Sequence, residues 1–131
     1  TILANTDWVI TTTGVWVVNT STLNFIRTPS RLPISLITAD PAPLTTVNSG
    51  FTYNVNSSGG AFNITLPSPA TVGSGFHFFI KDTNGSFGAF NVTLVRAGSE
   101  KIENVAASKV LSANFGFYKV YTNGTDWWVG N

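Results

Sequence analysis

Turn signals recur at strand-length intervals through most of this chain, and that punctuation limits its fold more than any other feature. Ser49–Gly50, Ser58–Gly60, Pro67–Gly75, Asn84–Gly85, Gly98, Gly116 and Asn123–Gly124 separate segments at Phe51–Asn56, Ala61–Leu66, Phe76–Lys81, Ala89–Arg96, Phe117–Thr122 and Asp126–Val129. Each segment is about as long as a strand, and each is rich in β-branched or aromatic residues. The stretch TLPSPATVGSGFHFFIKD from Thr65 to Asp82 shows the arrangement in miniature: the end of an apolar run, two prolines and two glycines, then a second apolar run. No segment carries a 3.6-residue apolar period, and only Glu103–Lys109 (ENVAASK) has the composition of a helical turn. The pattern predicts an all-β fold of short antiparallel strands in a sandwich or barrel-like module. From Ala89 the alternation is clear, with Phe90, Val92 and Leu94 on one face and Asn91 and Thr93 on the other. Asn123–Gly124, between Tyr121 and Trp127, predicts a hairpin closed by a type I′ turn.

The N-terminal third is organised differently. Asp7–Asn19 reads as a hairpin whose second strand is apolar on both faces, Val15 and Val17 against Trp16 and Val18. A strand of that kind needs cover on both sides, one of them supplied by another chain. Leu23–Arg27 and Leu32–Thr38 read as two more short strands, and Pro41 and Pro43 interrupt both helix and ladder, marking Asp40–Leu44 as a connector. The expected division is therefore 1–44, a hairpin segment with a Pro-rich connector, and 45–131, a β-rich module. The opening TILANTDW has neither an initiator Met nor the features of a signal peptide, so the chain reads as a terminal module of something larger. NTDWVI at Asn5 faintly echoes NGTDWWV at Asn123, as an incomplete repeat or a coincidence of composition produces.

Composition narrows the function classes. There is no cysteine, which removes disulfides, thiolate metal sites and thiol nucleophiles together. Charged residues are 10% of the chain, against about 25% in an average domain. The net charge of +1 provides no field to gather phosphates, so nucleic acid is not an expected partner. No apolar run approaches the roughly 20 residues of a membrane-spanning helix, and a soluble chain without membrane insertion is expected.

Residues that carry chemistry are sparse. His77, the single histidine, sits inside FHFFI with Asp82 the nearest acid; a catalytic triad requires more than one strand can place, and the simpler reading is a histidine on the less apolar face or at a subunit seam. Asp82, Asn84 and Ser86 alternate as calcium-loop ligands do, but Phe87 stands where that loop requires glycine and Thr93 where it requires glutamate. A turn held by its own side chains accounts for the same residues. The six acids, Asp7, Asp40, Asp82, Glu100, Glu103 and Asp126, show no spacing that pairs two of them for glycoside cleavage. GSGF at Gly73 lacks the lysine and helix of a phosphate loop. The N-x-S/T matches at Asn19, Asn56, Asn63, Asn84, Asn91 and Asn123 reflect abundant Asn and Thr. Aromatic residues are the remaining signal. Trp127 and Trp128 are adjacent on a strand and so point to opposite faces, one inward and the other to solvent or a partner chain. Trp127, Trp128, Tyr121 and Asn123 are the candidate contacts for a glycan or receptor. No catalytic, cofactor-binding or metal-binding residue is assigned, and no cofactor is expected.

The segment from Phe51 to the end resembles the β-rich modules of bacteriophage tail fibres, tail spikes and related virion appendages. The resemblance rests on the order of pieces: YNVNSSG from Tyr53, TLPSPATVGSGF from Thr65, IKDTNGSFG from Ile80, NVTLVRAGSEKIEN from Asn91, and the closing aromatic strand from Phe117 to Val129. It implies a non-enzymatic structural protein on the exterior of a virion, usually a homotrimer about the fibre axis. Such a module contacts other virion proteins and, at the host surface, a glycan or protein receptor. A coat-forming subunit without receptor binding and a tail-spike polysaccharide depolymerase are the alternatives. The resemblance carries no fixed catalytic motif.

Overall fold

The computed structural model describes residues 33–131. The hairpin at 7–19, the strand at 23–27, the Asn5 echo, Trp8 and Trp16 therefore lie outside the described residues. Within the described part, eight strands form: β1 Ile34–Ile37, β2 Thr52–Val55, β3 Phe62–Thr65, β4 His77–Asp82, β5 Val92–Val95, β6 Lys109–Leu111, β7 Phe117–Thr122 and β8 Trp127–Gly130. They make a five-stranded sheet in the order β1-β2-β4-β7-β8 and a three-stranded sheet in the order β3-β5-β6. The fold is mostly β, with one turn of α-helix, α1, at Pro69–Val72 and a 3₁₀ turn at Thr46–Asn48.

The expected antiparallel pairing is corrected. β1 with β2, β2 with β4, and β3 with β5 are parallel, while β4–β7, β7–β8 and β5–β6 are antiparallel, so both sheets are mixed. The reason is in the loops. Chains that leave β2 through Ser58–Gly60 and β3 through Pro67–Gly75 do not reverse beside themselves. They cross to the other sheet, so successive strands β2, β3, β4 and β5 alternate between sheets and each pairs with the strand two places away. Parallel pairing requires such crossovers. In the longer crossover, Pro69 occupies the first helical position, where its missing N–H costs nothing, and Gly73 ends the turn at φ +86°.

Alternation along each strand sends one set of side chains into a shared core. Tyr53 and Val55 of β2, Phe78 and Ile80 of β4, Val120 of β7 and Trp127 of β8 meet Ile64, Val92, Leu94 and Leu111 of the smaller sheet. The indole of Trp127 packs edge-on against Phe76 and Phe78, with ring centroids 6.0 and 6.4 Å away. The connector belongs to this unit: Leu44 is buried, and the Asp40 carboxylate accepts both the N–H and the O–H of Thr65.

Two details depart from the sequence reading. Glu103–Lys109 makes a tight bridge between Ile102 and Val105, with Glu103 and Asn104 at positive φ, and its last residue begins β6. Phe90 does not join the inward row of β5. Its N–H donates to the Ser86 carbonyl, so a turn ends at Phe90 and leaves it partly exposed.

Candidate interaction face

The outward residues of the five-stranded sheet form three rows that the register defines. One crosses β4, β7 and β8 as His77–Tyr121–Trp128, the next runs Ile34–Thr52–Phe79–Lys119–Gly130, and the third Leu36–Asn54–Lys81–Phe117. Ile34 and Leu36 are 67% and 71% exposed, Phe117 49% and Tyr121 40%. Phe79 stacks on Phe117 with centroids 5.6 Å apart and planes 13° apart, and His77 meets Phe79 edge-on. The ammonium of Lys119 lies 5.6 Å from the centre of the Tyr121 ring, and that of Lys81 donates to the Phe115 carbonyl. No carboxylate stands in the three rows. The outward side of the three-stranded sheet is different in kind, pairing Asn63 with Thr93 and Val110, and Thr65 with Val95.

Of the four residues singled out from sequence, the structure brings Tyr121 and Trp128 together as directly opposed partners across β7 and β8. Asn123 is the first residue of the turn after β7 and is exposed. Trp127 is fully buried and leaves the contact set. Its indole N–H has no acceptor. The β7–β8 hairpin forms as expected, but the turn is not a two-residue type I′. Thr122 pairs with Trp127 across a four-residue loop in which the Asn123 side-chain oxygen accepts the N–H groups of Thr125 and Asp126, and the Thr122 hydroxyl donates to the Asp126 carbonyl. Those bonds favour the wider loop.

His77 stands on the outward face, half-buried, with Nδ1 2.9 Å from the Gly75 carbonyl. Because that carbonyl can only accept, the neutral ring carries its proton on Nδ1 and leaves Nε2 as an acceptor.

The acids are employed in turns. Asp82, buried at the end of β4, accepts the N–H groups of Asn84 at 3.0 Å, Phe87 at 3.1 Å and Phe115 at 3.0 Å. Burial alone raises its pKa, but these donors and the Ser86 N–H together hold it below the usual carboxylate value. The Asp82 side chain therefore holds the turn as the sequence predicted. Glu100 accepts the Ala97 N–H at 2.6 Å, and Asp126 accepts the Lys101 N–H at 2.7 Å. These two carboxylates line one shallow depression of about 370 Å³ beside Ser68 and Thr125.

Sequence reasoning missed Phe79, Phe117, Lys119 and the aliphatic pair Ile34 and Leu36 as members of one surface. Their alternation was visible, but the order of strands that aligns them was not. No protein-family model matches the chain, and no curated protein matches it in sequence.

Proposed function

We propose that this chain is a non-enzymatic structural module of a virion tail fibre or spike, assembled as a homotrimer through the β1–β2 side of the outward face of its five-stranded sheet. The observation that carries the reading is the contrast between the two outward faces. One sheet offers solvent Asn, Thr and Val, whereas the other offers Ile34, Leu36, Phe79 and Phe117 in adjoining rows. Large apolar side chains concentrated on one outward face, although interleaved with Thr52, Asn54, Lys81 and Lys119, mark that face as the candidate interface. The β1–β2 side, where Ile34 and Leu36 are most exposed, is the side assigned to neighbouring copies. The resemblance of Phe51–Val129 to tail-fibre and tail-spike modules supports the placement on a virion exterior.

Light scattering over a tenfold range of concentration tests the assembly. A stable mass three times 14.0 kDa supports the trimer, and Ile34→Lys with Leu36→Lys then lowers it to the monomer while the circular dichroism of the sheets is retained. A concentration-independent monomer refutes the reading. Open-ended assembly favours a coat-forming subunit, because a contact that does not close gives shells or filaments instead of a ring.

A further inference from the structure

The outward face is not uniform. At its β1 side it is aliphatic. At its β4–β7–β8 end it combines flat rings with hydrogen-bond donors, and this end has a chemistry of its own. The row His77–Tyr121–Trp128 spans three adjacent strands, about 10 Å from first to last at ordinary strand spacing, which is the span of a disaccharide. Tyr121 and Trp128 are opposed across the ladder and make a strip of aromatic positions, each ring a surface for the C–H face of a sugar.

The polar groups around the strip select the partner. The Lys119 ammonium beside Tyr121 is a pure donor. The Asn123 side-chain oxygen is occupied by two backbone N–H groups, so its amide presents only N–H donors outward. No carboxylate lies in any of the three rows to neutralise Lys119. A ligand that complements this end must therefore carry acceptors and negative charge together with a stackable apolar face. Single-stranded nucleic acid meets the same description but needs a track of cations, whereas the rows hold two lysines and the whole chain has a net charge of +1.

We propose that the β4–β7–β8 end of the five-stranded sheet binds an acidic saccharide, a sugar chain bearing carboxylates, with Tyr121 and Trp128 stacking on the rings and Lys119 pairing with the carboxylate. This deepens the fibre reading and rests on it in one respect: assembly through the β1–β2 side leaves this end open.

The test is calorimetric titration of the full chain with uronate- and sialate-bearing oligosaccharides, their carboxyl-reduced counterparts, and a single-stranded oligonucleotide, with tryptophan fluorescence as a second readout. The acidic sugars bind, and carboxyl reduction or Lys119→Gln weakens them by about tenfold, the loss of one charge-assisted hydrogen bond. Trp128→Ala weakens them by about five- to tenfold, with the solution mass unchanged. Absence of binding by every acidic sugar, equal binding of the reduced forms, or preference for the oligonucleotide overturns the proposal. So does a change of solution mass in Trp128→Ala, which makes this end a subunit seam. A trimer that binds none of the sugars removes this inference and leaves the assembly reading standing, while a monomer that binds them does the reverse.

Discussion

Replacing Asp82 tests whether one buried carboxylate organises the loops at the end of the five-stranded sheet. Its Oδ2 accepts two N–H groups, from Phe87 and Phe115, and its Oδ1 accepts a third, from Asn84. The donors come from the β4–β5 loop and from the turn before β7, so the side chain joins segments about thirty residues apart in sequence. Asp82→Ala strands all three, one of them fully buried, and a buried donor without a partner costs about 1–3 kcal/mol. With partial relaxation of the loops, the expected loss is about 3–5 kcal/mol. Asp82→Asn keeps the shape and one acceptor oxygen. Turned so that this oxygen replaces Oδ2, it retains the bonds from Phe87 and Phe115 and sets its amide against the Asn84 N–H, an expected loss of about 2 kcal/mol.

The pH dependence distinguishes charge from shape. The folded pKa lies below the unfolded value of about 3.9. The ionised group therefore adds stability that is complete above pH ~4 and is lost as pH falls through the folded pKa. The gap between wild type and Asp82→Asn is widest at neutral pH and narrows on acidification. Urea unfolding at fixed protein concentration, repeated from neutral pH downward, measures it. An Asp82→Asn variant within about 0.5 kcal/mol of wild type at neutral pH, or a gap that widens in acid, refutes the reasoning.

Two further substitutions bear on the core and on a turn. Trp127→Ala is expected to lose about 3–5 kcal/mol in urea unfolding, whereas Trp127→Phe loses about 1–2 kcal/mol, because the indole N–H it removes has no acceptor; equal losses contradict the packing described. Gly85→Ala sets a new Cβ about 2.5 Å from the Phe115 ring at φ +66°, and is expected to cost about 1–2 kcal/mol by thermal unfolding, most of it backbone strain because the exposed ring can shift. Phe115→Ala in the same chain removes the clash and leaves the backbone strain, about 1 kcal/mol, so the double variant is more stable than Gly85→Ala alone; additive losses refute the contact.

Strand positions were legible in this sequence because turn residues bound them and two-residue alternation fills them. Phe117–Thr122 was read to the residue, β2, β3, β4 and β8 fall within a residue of the expected runs, and β1 lies inside its run of Leu32–Thr38. β5 is shorter than its run because the Phe90 turn takes the first residues. β6 escaped notice because its three residues give too little alternation to register. Strand order was not legible at all. Nothing in Ser58–Gly60 or Pro67–Gly75 announces whether the chain turns back or crosses over, yet that choice decides whether Phe79 lies beside Phe117 or a whole sheet away. Adjacent tryptophans showed that one must point inward, but not which, since Trp127 and Trp128 are the same residue to any rule of alternation. The partner rows decide it: Trp127 meets Thr122 and Trp128 meets Tyr121.

The scarcity of charge takes on a different meaning once the charges are placed. The five described acids include Asp40, Asp82, Glu100 and Asp126, each accepting at least one backbone N–H in a loop. Their negative charge serves local turn geometry, where donors left without strand partners need acceptors. Lys81 and Lys119 instead stand on a strand face among rings. A net charge near zero therefore coexists with a face that is locally cationic and aromatic. That separation follows from topology: the parallel crossovers move the turns, and with them the acids, to the ends of the strands, and leave the sheet's broad outward side to rings and lysines. It is why replacing the acids should alter stability, and for Asp82 its pH dependence, while replacing Tyr121 or Lys119 should alter the proposed binding and leave the fold in place.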